Sequence, residues 1–221
     1  MGHFGKMRSV SKSLLVLTLM MTMVRHVPAQ EVIDRIAARV DTDIILLSDV
    51  RALARYQNFL DDKAKSDSEI LDLLIDQWIV RNEAKAALFP QPADEDVQKS
   101  LERLRRSFSS SEDFEARRKA AGLTDEDVLR MLKSQTYLTN YLDSRFRASI
   151  QVEEKDIEEF YKTRVISRAE GRGQTPPTLE AARGFIQEVL VQRAINVQAD
   201  KWLKESRARL RVEKLLDQNE K

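Results

Sequence analysis

Helix breakers are scarce in this chain and confined to a few places. Of its six glycines and five prolines, Gly2, Gly5 and Pro28 precede residue 30, which leaves four of each for all that follows. Between those breakers charged and apolar residues recur at helical spacing, so the chain reads as mainly α, with exceptions at its two ends.

The amino-terminal segment predicts a compartment. Lys6, Arg8 and Lys12 form a basic start, Leu14 to Val24 an uncharged apolar run, and Val27-Pro28-Ala29 the pattern that a signal peptidase reads. The run is shorter than the ~20 residues that span a bilayer. Residues 1–29 therefore read as a signal peptide cleaved between Ala29 and Gln30, with export to the periplasm. A retained anchor is the alternative, favoured by Arg25 at the end of the run. No later segment reads as membrane-spanning.

The sequence holds 37 basic and 36 acidic residues; residues 1–29 carry Lys6, Arg8, Lys12 and Arg25 and no acid, so the exported chain has 33 basic against 36 acidic residues. Such an evenly mixed chain argues against nucleic acid, whose phosphates demand a basic surface. Cysteine is absent, which excludes disulfides, thiolate nucleophiles and lipid-modified cysteine. Both histidines, His3 and His26, fall in the segment read as removed. Ser/His/Asp and Cys/His catalysis and the usual zinc sites are thereby excluded, and no catalytic, cofactor-binding or metal-ligating residue is nominated.

Along the chain, Val32, Ile36 and Val40, a turn at Asp41-Thr42-Asp43, and Ile44 to Leu47 read as a strand pair. Ser48 with Asp49 caps a helix running through Tyr56 toward Phe59, and Asp61 to Ser68 is a polar linker. Ser66 and Glu69 have capping-box spacing. Behind them Ile70, Leu71, Leu73, Leu74, Ile75, Trp78 and Ile79 coat more than one face, so this is the buried central helix, ending near Phe89 ahead of Pro90 and Pro92. Asp94 caps a helix with one apolar stripe: Val97, Leu101, Leu104 and Phe108. Glu112 to Ala121 makes a short helix around Phe114, stopped by Gly122. Thr124 with Asp127 opens a long helix with Leu129, Leu132, Leu138, Tyr141, Leu142 and Phe146 inward.

After an extended link at Ile150-Gln151-Val152, Glu153 to Thr163 is a helix whose acidic first turn suits the macrodipole, a solvated start rather than a metal or acid/base cluster. Ser167 to Thr178 reads as a mobile, turn-rich loop. Thr178 caps a long helix reaching Trp202, Leu210 to Val212 is a last strand, and Asp217 to Lys221 a solvated tail. Trp78 and Trp202 are assigned to the core. Arg103, Arg105, Arg106, Arg117, Arg118 and Lys119 are assigned to a solvated basic face.

The order of these pieces resembles the SurA family of periplasmic chaperones and isomerases. Val32-Ile33-Asp34-Arg35-Ile36-Ala37-Ala38-Arg39-Val40, the turn, Ile44 to Leu47 and Ser48-Asp49-Val50 look like the family's opening, and Ile70 to Ala87 is similar to its second helix. Val152 to Tyr161 resembles the acidic helix that leads into the parvulin domain of relatives. Thr178 to Ile186 and Ala199 to Arg207 resemble the long helix after it, and Leu210 to Val212 the terminal strand. The resemblance implies a trigger-factor/SurA peptide-binding-like helical domain over residues 30–221, with a small sheet formed by the amino-terminal strands and the carboxy-terminal strand. Its parts would be a helical region at 30–165, a flexible loop at 166–177 and the closing helix and strand at 178–221. Where relatives carry an isomerase domain, this chain has only the sixteen residues Lys162 to Pro177, too few to fold into one.

The resemblance therefore implies an ATP-independent holdase for unfolded exported or outer-membrane polypeptides, without isomerase activity, cofactor or stable membrane insertion. Tyr56, Phe59, Phe108, Phe114, Tyr137 and Tyr141 are the aromatics nominated for a client groove, against the plainer reading that they plug the core. The rivals are a prolyl isomerase, the family's enzymatic half, and a structural homodimer exchanging carboxy-terminal helices.

Overall fold

The first and last strands of the described chain meet in one sheet. The computed structural model describes residues 1–2, 34–61 and 63–216. The signal segment beyond residue 2, its cleavage site at Ala29 and Gln30, Val32 of the expected first strand and the tail Asp217 to Lys221 lie outside the described residues. Asp34–Lys221 forms one compact unit.

Strands β1 (Ile36–Val40) and β2 (Asp43–Leu46) form an antiparallel hairpin, and β3 (Val212–Lys214) pairs antiparallel on the other side of β1, giving the order β2-β1-β3. The turn uses Asp41 at φ +51°, a left-handed conformation that aspartate tolerates better than most side chains. Asp41 also holds the chain end: its amide donates to the Arg211 carbonyl, and its carboxylate accepts from the Arg211 amide, both at 2.9 Å. Ile36 pairs with Leu46 but Ala38 with Ile45, so Ala37 is the extra residue of a bulge. That bulge is why Ala37 and Ala38, neighbours in sequence, are both fully buried.

Leu47 opens helix α1 (Leu47–Leu60) instead of ending the strand. Its first turn is closed from two directions: Asp49 accepts from the Leu46 amide at 3.0 Å, and Asp34 accepts from the Ser48 amide at 3.2 Å. Helix α2 (Asp67–Ala86) starts with the expected reciprocal bonds, Glu69 accepting from the Ser66 amide at 2.8 Å and Ser66 Oγ from the Glu69 amide at 3.3 Å. It buries Ile70, Leu71, Ile75 and Ile79 in the main core and Val80 and Ala84 in a second cluster. Trp78 is half-buried, and its Nε1 donates to Asp43 at 2.8 Å.

Helix α2 stops before the expected Phe89. The Leu88 amide donates to the Lys85 carbonyl and the Phe89 amide to the Ala84 carbonyl, the paired closure of a left-handed helix end. Leu88 carries that conformation at φ +52° while 89% exposed, where glycine would adopt it without a Cβ penalty. Leu88→Gly is expected to raise stability by ~1 kcal/mol, read as a higher urea midpoint; an unchanged or lower midpoint would contradict this account.

Helix α3 (Asp94–Arg106) places Asp94 at its first turn, with Ala93 in the capping position and no side-chain cap. Helix α4 (Ser111–Ala120) is capped by Ser110 and ends at Gly122, φ +65°. Helix α5 (Asp125–Phe146) begins with the Thr124 and Asp127 capping box. A 3₁₀ turn at Arg147–Ser149 leads to helix α6 (Glu154–Phe160), a π-helical stretch (Tyr161–Ile166) and one further turn, α7 (Ser167–Glu170). Ile166 to Glu170, expected in a loop, are thus helical. Ser-Arg-Ala-Glu has no breaker, and the loop proper begins at Gly171.

Helix α8 (Leu179–Arg207) spans 29 residues, about 43 Å at ~1.5 Å per residue. Its carboxy-terminal half packs on α5 and α2, and its amino-terminal half carries α6 and the π-helical stretch as an arm. Arg207 closes the far end, with Nε 2.7 Å from Asp76 and Nη1 2.8 Å from Asp72, while Lys214 of β3 joins Asp72 at 2.8 Å. This clasp places the last strand at Val212–Lys214, two residues later than expected. No helix among the described residues is long and apolar enough to cross a membrane. The described chain is mainly helical with a small three-stranded antiparallel sheet.

Candidate functional site

The six nominated aromatics assemble into two clusters, both turned inward. Phe59 stacks on Phe108 with centroids 5.1 Å apart and meets the edge of Phe114 at 5.2 Å, and Tyr56 lies 6.1 Å from Phe59. Tyr137 and Tyr141 flank Phe89 at 5.9 and 5.5 Å. Tyr56, Phe59, Phe114, Tyr137 and Tyr141 are buried, and Phe108 is half-buried beneath the Arg117 guanidinium. Burial pushes the Tyr56 phenol up to about 12. In this conformation these rings hold the core together; the plainer of the two readings describes where they sit. Their helix-end positions suggested exposure, but α3 and α4 close over Tyr56 and Phe59, while Phe89 and the Trp202–Leu203 end of α8 close over Tyr137 and Tyr141.

The basic middle is a solvated face at Arg103, Arg105, Arg106 and Lys119, which are exposed, but Arg117 and Arg118 are partly buried. Arg105 lies 5.3 Å above the Phe114 ring, and the largely buried Arg118 pairs with Glu115 at 2.6 Å and donates to the Leu123 carbonyl at 2.6 Å.

The open apolar surface lies in the arm. Ile157, Ala182 and Ile186 form a small core of their own, with Phe160, Tyr161, Val165, Leu179 and Leu190 packed against it. Beside it runs a groove of about 1020 Å³ between the π-helical stretch, α7, the loop and the start of α8. Its floor and flank are Phe160, Val165, Ala182, Phe185 and Val189, with Phe185 68% exposed. Its rim carries Arg164, Arg168, Arg172 and Arg193, all exposed. No carboxylate side chain among the described residues lines it. Arg193 lies 4.8 Å over the Phe160 ring and separates this groove from a smaller one of about 380 Å³, which has Asp156 and Glu159 in its wall.

Local geometry sets the groove's width. The wider π-helical turn displaces Arg164 and Val165 from regular α spacing, a departure frequent at functional sites. The Tyr161 hydroxyl donates to the Pro177 carbonyl at 2.6 Å, drawing the loop back over the arm. Single-sequence reading missed the groove because its apolar and basic residues come from segments separated by a breaker-rich loop. The available signal was that Arg164, Arg168 and Arg172 recur at spacing four.

The arm is tied to the body by Arg147. Its guanidinium holds Asp143 of α5 at 2.7 Å and Glu188 of α8 at 2.8 Å, and Gln192 donates to both carboxylates at 3.0 and 3.1 Å. The Arg147 bond, then Gln192, holds the Glu188 carboxyl down to about 2. A depressed carboxyl contributes stability that is present above its unfolded value near ~4.3 and lost as pH falls through the folded value. The wild-type thermal midpoint is therefore expected to fall from about pH 4 toward about pH 2 more steeply than that of Glu188→Gln; parallel curves would contradict this role. The effect is modest because Glu188 is solvent-exposed.

No protein-family model matches the chain, and no curated protein matches it either. Among the described residues no group of three or more acidic side chains is placed to hold a metal ion.

Proposed function

We propose that this chain is a periplasmic, ATP-independent holdase that binds extended, unfolded exported or outer-membrane polypeptide through the arm groove and performs no chemistry on it. The observation that carries the reading is an open apolar trough with a charged rim, on a scaffold whose other large aromatics are packed away. Apolar contact gives reversible attraction to unfolded chain, and the guanidinium rim keeps the pair soluble. Release follows when the client buries its apolar surface elsewhere. The pairing of β3 with β1, which brings the closing helix and strand onto the amino-terminal region, further supports a SurA-like arrangement. Isomerase activity is left out of the proposal because Lys162 to Pro177 consists of part of the π-helical stretch, one helical turn and a loop.

The experiment is light scattering during dilution of a denatured outer-membrane porin with and without the purified protein. Suppression of aggregation that Phe185→Ser weakens is expected. Absence of suppression by the wild-type protein would remove the reading.

A further inference from the structure

Elsewhere among the described residues about half of the arginines pair with acids, among them Arg39 with Glu213, Arg118 with Glu115, Arg147 with Asp143 and Glu188, Arg183 with Glu154, and Arg207 with Asp72 and Asp76. The four on the groove rim are set apart by lining one concavity together. Among the described residues Arg164, Arg168, Arg172 and Arg193, all exposed, form no ion pair with a carboxylate, although the chain has 36 acidic residues against 37 basic ones. Four exposed guanidinium groups thus converge on one apolar trough with no carboxylate among its described lining residues, although Arg164 and Arg193 also border the smaller groove that holds Asp156 and Glu159.

We propose that the arm groove selects client segments in which aspartate or glutamate flanks an apolar side chain; this rests on the holdase reading and adds the class of segment taken. The apolar residue lies on Phe160, Val165 and Phe185, and the flanking carboxylates accept from the rim guanidinium groups, which suit bidentate hydrogen bonding. A segment flanked by lysine meets four like charges and is rejected, so selection comes from repulsion as well as attraction. The arginines line a concavity, so a flat membrane surface reaches fewer of them than an inserted chain does. That favours a polypeptide over a lipid headgroup as the source of negative charge.

The test is fluorescence anisotropy on the full-length protein with three short labelled peptides sharing one apolar centre and flanked by acidic, serine or lysine residues. The acidic peptide is expected to bind about tenfold more tightly than the serine one, a few exposed pairs contributing modestly each. The preference should shrink as added salt shortens the screening length from about 30 Å to about 8 Å. Arg168→Glu with Arg172→Glu, at two exposed side chains without a hydrogen-bonded partner among the described residues, should shift the preference toward the lysine peptide while the circular dichroism spectrum is unchanged. Equal binding of all three peptides overturns the selection and leaves the holdase reading standing. If none binds and aggregation is not suppressed, both fail. Capture by anionic phospholipid vesicles without binding of the acidic peptide also overturns the proposal, in favour of a lipid surface.

Discussion

Phe59→Ala is expected to lower the unfolding free energy by about 3–5 kcal/mol. Phe59 is fully buried, and its ring is the common neighbour of Tyr56, Phe108 and Phe114. Removing it leaves a void against three aromatic surfaces that rigid helices α1, α3 and α4 cannot collapse to fill, so both transfer energy and packing are lost. A domain of this size has about 5–15 kcal/mol in total, so much of the margin goes with one side chain. Urea unfolding followed by circular dichroism measures it. A variant that keeps the wild-type midpoint yet loses client protection would show instead that Phe59 meets the client directly.

Ile186→Ala is expected to cost about 2–5 kcal/mol locally, with a different signature. Ile186 is fully buried, but in the arm's own small core with Ile157 and Ala182 rather than in the main core. A core this small can open without the body unfolding. Amide exchange should accelerate from Val152 through Glu170, while α2 and α5 keep their protection. Aggregation suppression should fall with it, because the groove needs α6 and the π-helical stretch seated on α8. Uniform acceleration across the chain would show that arm and body unfold together and would contradict their separation.

Setting Phe59 beside Ile186 shows which readings travel from sequence to structure. The helix starts at Ser66 and Thr124 were legible because a capping box is completed within four residues, and the stop at Gly122 because a left-handed φ is a property of one residue. The cap position of α1 is Leu46, two residues ahead of the expected Ser48, because one of the closing bonds comes from Asp34, fourteen positions upstream of Ser48. Ser167 to Glu170 continue the preceding π-helical stretch instead of opening the loop, because the turn-forming residues begin only at Gly171.

By itself the sequence determined the mainly helical class, most of the caps, the central position of α2 and the strand at each end, since these follow from hydrogen bonds and periodicities contained in one short segment. Tertiary structure alone decided that Tyr56, Phe59 and Phe114 are sealed while Phe185 stays open, and that Arg164, Arg168, Arg172 and Arg193 share one groove. The physical reason is range: an amphipathic helix declares that it has an apolar face, but only the elements that arrive from elsewhere in the chain determine whether that face is covered.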